Sequence, residues 1–199
     1  MISFLDPNNK LNEHKNSLTI TYPRTVNIIF GHYPYLENIH NLIINIKNNI
    51  NKDMTNYTNV KGNMTSWDHF IKDPIFNHFL SYIINKNQIS QPDLFKHFFS
   101  KNTIKDAWGN EIKKRDKLNY HEHNYYHGVL YLTKGCDLIV PELNIKITPN
   151  PGDYYIFPMG ILHGFEEYTE EHNRYSLIFN IEKTKGFEYS KSMKDLNER

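Results

Sequence analysis

The chain of 199 residues has a single cysteine, Cys136, so a disulfide within it is impossible and a disulfide-stapled secreted scaffold is excluded. Net charge is nearly absent as well: 23 basic and 22 acidic residues, interspersed along the chain, give +1 with neutral histidines. That balance offers no basic stripe for a nucleic-acid backbone and no footprint for an anionic membrane. A small-molecule or peptide substrate is the expected partner. Long apolar runs are missing too, since none approaches the length of a membrane span and residues 1–10 lack the apolar stretch of a signal peptide. A cytoplasmic protein, of a cell or of an infected host, is the expectation.

What the chain does contain is β-branched and aromatic residues in short runs. Its length suits one domain over 1–199. Residues 18–30 read as two short strands or an edge strand broken at Pro23. In 36–50, Ile39, Leu42, Ile43, Ile46 and Ile50 follow the helical period, and 75–86 repeats it with Phe76, Phe79, Leu80, Ile83 and Ile84. A third helix is expected from Ser90, with Asp93 completing a capping box and Pro92 in the first turn; 51–65 reads as a loop. His69, His78 and His97 fall in these helical regions and read as packing or surface residues. Residues 1–102 would thus form a supporting layer. After Ser100 the texture changes, and strands are expected at 103–113, 117–124, 126–133, 136–140, 143–148, 153–158, 163–168 and 173–181. Eight short strands at about ten-residue spacing predict a mainly β fold, a double-stranded β-helix (jelly roll, cupin-like barrel) over 103–182, with the N-terminal helices packed on one face. The tail 183–199 is charged.

Four histidines, His121, His123, His127 and His163, lie in this β-rich part. Side chains two apart in a strand face one side, so His121-x-His123 presents two imidazoles to one metal ion, with His163 as third ligand. Glu122 points the other way. Three protein ligands on one face with open positions opposite are what a mononuclear iron oxygenase site needs. Arg174 and Ser176 share a strand face by the same parity. In the otherwise apolar strand Leu177-Ile178-Phe179, an inward arginine is costly unless an anion meets it. A bound dicarboxylate would supply that anion; alternatively Arg174 pairs with Glu166, Glu167, Glu170 or Glu171.

His121-x-His123, Gly128-Val129-Leu130-Tyr131-Leu132, Pro151-Gly152 with Ile156-Phe157-Pro158, His163 and Arg174-x-Ser176 with Phe179-Asn180 form an ordered set. The set resembles the core of the iron(II)- and 2-oxoglutarate-dependent oxygenases, and Trp108-Gly109-Asn110 fits a branch of small oxygenases common in phages and marine bacteria. The likeness covers about residues 106–182. It implies Fe(II) held by His121, His123 and His163, 2-oxoglutarate as co-substrate with its far carboxylate on Arg174 and Ser176, and hydroxylation of an unactivated C–H bond. The family pattern has Asp or Glu where this chain has His123, which implies a three-histidine site. A second resemblance is to the cupins: Gly152-x5-Pro158-x-Gly160-x2-His163 fits one cupin motif, while His127 stands where the other expects glutamate. A metalloenzyme independent of 2-oxoglutarate, or a non-catalytic jelly-roll binding protein, are the alternatives. The discriminating feature is whether Arg174-x-Ser176 points inward near His163.

Overall fold

The computed structural model describes residues 2–4, 11–14, 17–22, 24–50, 62–88 and 104–182. The first part of the chain contributes β1 (Ile2–Phe4), β2 (Leu11–His14), β3 (Ser17–Tyr22), β4 (Arg24–His32), α1 (Leu36–Asn48), β5 (Asn63–Met64) and α2 (Pro74–Gln88). Eight strands follow: β6 (Ile104–Ile112), β7 (Leu118–His121), β8 (Tyr126–Tyr131), β9 (Leu138–Val140), β10 (Ile145–Ile147), β11 (Asp153–Phe157), β12 (His163–Phe165) and β13 (Arg174–Ile181). They divide between two antiparallel sheets, β6, β8, β11 and β13 in one and β7, β9, β10 and β12 in the other. The large sheet runs β2-β3-β4-β11-β8-β13-β6-β5 and the small one β1-β10-β9-β12-β7. This is the jelly roll predicted from strand spacing, and each of the eight expected strands is present within a few residues. The expected third helix from Ser90, His97 and the tail 183–199 lie outside the described residues.

Two details differ from the sequence expectation. Residues 63–64, read as loop, extend the large sheet by pairing Asn63 with Glu111 and Met64 with Asn110. The strands of the first 32 residues extend both sheets rather than only supporting a barrel: β4 pairs with β11 and β1 with β10. Helix α2 starts where Asp73 accepts the backbone N–H groups of Ile75 and Phe76 at 2.8 and 3.0 Å, which satisfies two orphan donors of the first turn.

Strand β13 shows how the layers are built. Its eight residues are all buried. Tyr175, Leu177, Phe179 and Ile181 face the helices, packing with Leu42, Ile46, Phe76, Phe79 and Ile83 in one core cluster. The alternate residue Ile178 faces the other way, into a second cluster with Trp108, Val129, Tyr131 and Phe157 between the sheets. A strand buried on both faces reads as near-continuous apolar sequence, and the polar residues interrupting the inner face, Arg174, Ser176 and Asn180, are therefore the informative ones. Helix α1 lies so close to β6 that a Cβ on Gly109 would overlap the Ile46 side chain.

Candidate metal centre and adjoining cavity

A cavity of about 410 Å³ opens between the sheets. Strand register sets its floor as rows across three strands of the large sheet. Ile112 lies opposite Arg174; Asn110, Ser176 and Tyr131 form the next row; Trp108, Ile178 and Val129 the third; of the following row, Asp106, Asn180 and His127, only His127 lines the cavity. Polar groups thus stand at both ends of an apolar stretch. Trp67, outside the barrel strands, is exposed at the cavity and packs edge-on against Trp108, with centroids 4.5 Å apart.

The opposite wall carries His121, His123 and His163. His163 on β12 lies directly across from His121 on β7, so the two imidazoles share one face. The pairing register then shifts between His163 and Phe165, a bulge of the kind that re-aims side chains at sites. The strand expected over 117–124 ends at His121, so His123 is brought in by the following turn and not by strand parity. Its carbonyl accepts the N–H of Gly160 at 2.9 Å, which ties this turn to the segment leading to His163. Glu122 is exposed, as expected.

One ring nitrogen from each of His121, His123 and His163 falls within 4.8 Å of the others, and the Nε2 atoms of His121 and His123 are 3.1 Å apart. The Nδ1 atoms of His121 and His163 face the carbonyls of Asn119 and Ile161, both at 2.9 Å. A carbonyl only accepts, so each Nδ1 carries the proton and each Nε2 presents a bare lone pair. Burial, reinforced by the neighbouring rings, pushes His123 down to about 3 and His163 to about 4. Burial lowers His121 as well, and places His127 well below the ordinary histidine range. Neutral, inward-facing imidazoles are the form that binds a divalent metal.

At the far end, Arg174 is 3% exposed. Its guanidinium lies 4.9 Å from the ring centroids of both Tyr131 and Phe165, and Nη1 donates to the Cys136 thiol at 3.2 Å. The glutamates that could have neutralised it do not: Glu171 pairs with Lys114, and Glu166, Glu167 and Glu170 are exposed. Among the described residues no carboxylate forms an ion pair with Arg174, and its Nε has no hydrogen-bond partner. The buried Oδ1 of Asn110, one row away, has none either. Arg174, Ser176 and His163 line the same cavity, the arrangement that discriminates the readings of the sequence. His69 and His78 lie elsewhere, bonded to Asn45 and Tyr33.

Sequence reasoning missed Asn110, Trp67 and Tyr131 as cavity residues. Alternation of Trp108, Asn110 and Ile112 along β6 carried a signal for the first; nothing in residues 51–72 marked Trp67.

No protein-family model and no curated protein sequence matches the chain. Solved structures do. The chain is similar to viral collagen prolyl hydroxylase vCPH from Paramecium Bursaria Chlorella virus-1 in its 2OG complex, with 14% identity, 77% of this chain and 94% of that chain covered, and a TM-score of 0.57. A Pseudomonas putida prolyl-4-hydroxylase matches with 12% identity, coverage of 79% and 93%, and a TM-score of 0.59. HygX from Streptomyces hygroscopicus with nickel and 2-oxoglutarate bound matches with 9% identity, coverage of 79% and 83%, and a TM-score of 0.54. At these identities the likeness is one of fold, and it extends well beyond residues 106–182 into the N-terminal part.

Proposed function

We propose that the chain is an iron(II)- and 2-oxoglutarate-dependent oxygenase that hydroxylates a small-molecule or peptide substrate. The observation that carries this reading is Arg174, a buried permanent cation that no carboxylate among the described residues pairs with, in the cavity that also holds three inward-facing histidines. His121, His123 and His163 would hold the iron through nitrogen lone pairs, and the protons fixed on Nδ1 of His121 and His163 orient two of the three rings. Arg174 and Ser176 would grip the far carboxylate of 2-oxoglutarate, a charge-assisted contact that removes the cost of burying the guanidinium alone. The rings of Tyr131 and Phe165 both lie within cation–π distance of the guanidinium and help to hold it in place. When bound, iron with 2-oxoglutarate supplies dioxygen activation and C–H oxidation; the chain's own work is to bind, orient and exclude water. The fold shared with two prolyl hydroxylases and HygX supports this reading.

An all-histidine ligand set is also compatible with cupin-type metalloenzymes, but such a site gives Arg174 no anion to meet. Titrating 2-oxoglutarate into the anaerobic iron(II)-loaded protein separates the two. The oxygenase reading expects a visible charge-transfer band that saturates at one equivalent, and its loss in His163→Ala. A native protein that takes up iron yet shows no band refutes the 2-oxoglutarate reading.

A further inference from the structure

The cavity holds a fourth histidine that the proposed metal site leaves without a role. His127 is buried on β8, and its nitrogens are not among the group that converges within 4.8 Å. Its ring lies flat against that of His123, centroids 3.8 Å apart and planes within 9°. His123 is the ligand candidate that most needs support. His121 and His163 sit in strands and are each oriented by an Nδ1–H bond to a backbone carbonyl, whereas His123 lies past the end of β7. Among the described residues no comparable bond orients it, and its close polar neighbour is the Nε2 of His121, which belongs to the same ligand set.

His127 itself is clamped across three strands. Asn180 Nδ2 donates to Asp106 Oδ2 at 3.2 Å, which turns the amide oxygen toward His127, and His127 Nδ1 donates to that Oδ1 at 3.2 Å. The three residues occupy one row of the sheet, Asp106 opposite Asn180 and Asn180 opposite His127. Resting on the reading of His121, His123 and His163 as metal ligands, we propose that His127 is a positioning residue, a tethered plate that holds the His123 ring in the orientation metal binding needs. The Asp106–Asn180–His127 row does for His123 what a backbone carbonyl does for the other two. Outer contacts of this kind change metal affinity by about 10- to 100-fold when removed.

The test uses the full chain with cobalt(II) alone as probe, read by affinity and by the visible spectrum of the bound ion, with thermal unfolding of the metal-free variants as the control for folding. In His127→Ala, cobalt affinity falls about 10- to 100-fold and the spectrum changes; in His127→Phe, which keeps a flat ring on His123, most of the affinity returns. Asn180→Leu frees His127 without emptying its place and produces a smaller loss of the same kind, which keeps the test open should His127→Ala not fold. Cobalt binding and spectrum unchanged in both His127→Ala and Asn180→Leu overturn the proposal. It is equally overturned if His127→Phe is as damaging as His163→Ala and copper(II) in that variant loses one coupled nitrogen, which makes His127 a ligand. A native protein that binds no cobalt removes the metal site itself, a failure one step earlier and separable from these.

Discussion

Two charges are buried one position apart on neighbouring strands, and they are treated in opposite ways. Glu111 on β6, 8% exposed, accepts the Tyr175 hydroxyl and an Asn63 N–H, both at 2.7 Å, and an Asn173 N–H at 2.9 Å, with Lys113 Nζ at 3.1 Å. Arg174 on β13, opposite Ile112, has two ring faces and a thiol. Both positions cost desolvation. At Glu111 the protein repays it with its own donors, as a charge used to lock β5, β6 and β13 together requires. At Arg174 no carboxylate among the described residues does so, and the proposed function assigns that part to a ligand entering the cavity. A saturated buried charge marks architecture, and an unsaturated one marks a ligand site.

The largest effect that can break this contrast is on folding. Glu111→Ala leaves the Tyr175 hydroxyl and two amides without their acceptor, and we expect about 3–5 kcal/mol less stability in urea unfolding. A loss under about 1 kcal/mol would show that the cluster is surface decoration.

Next is acid. Free histidine titrates near 6.5, whereas the buried rings resist protonation down to about 4 at His163 and about 3 at His123. Between those values the unfolded chain takes up protons that the folded chain refuses, so stability of the metal-free protein falls as pH drops from about 6.5 toward 4. Burial alone would raise Glu111, but hydrogen bonds led by Tyr175 and Asn63 outweigh it and hold the carboxyl below 4.5. Its contribution is present above about 4.5 and is lost only below that. Unfolding midpoints measured against pH should therefore decline in two stages, and a divalent metal should flatten the first through mass action on the neutral rings. A curve flat from 6.5 to 5 without metal contradicts burial of neutral histidines. With the rings held neutral by burial, competition by protons for a metal at His123 and His163 should begin well below the ordinary histidine range.

The smallest expected effect is at the other charge. Arg174→Met removes a cation that no described carboxylate neutralises and keeps most of the apolar stem, so stability should change by less than about 1 kcal/mol or rise. A loss as large as that of Glu111→Ala would mean that Arg174 is structural.

Much of this was legible in the sequence, for identifiable reasons. Period-two alternation placed Arg174 and Ser176 on the inner face of β13, and the helical period of Ile39, Leu42 and Ile46 marked the residues that cover its outer face. His163 could be placed because it opens the strand expected over 163–168. His123 does converge with His121 and His163, but not by strand parity: the strand stops at His121, and a turn tied to Gly160 brings the ring in. The pairing of β1 with β10 joins residues more than 140 apart, and His127, stacked on His123, is bonded to Asn180 on a strand far along the chain. Such contacts follow from sheet order, which local patterns do not encode.

The central claim, that the partner missing from Arg174 is the far carboxylate of a keto acid, is tested most directly by calorimetric titration of the anaerobic iron(II)-loaded protein with 2-oxoglutarate and with 2-oxobutyrate, which lacks that carboxylate. The native protein should prefer 2-oxoglutarate by about thirty-fold or more, corresponding to about 2–5 kcal/mol for a buried charge-assisted contact, and Arg174→Ala should lose that preference while binding iron as before. Equal affinity of the native protein for the two acids, or a preference that survives in Arg174→Ala, would contradict it.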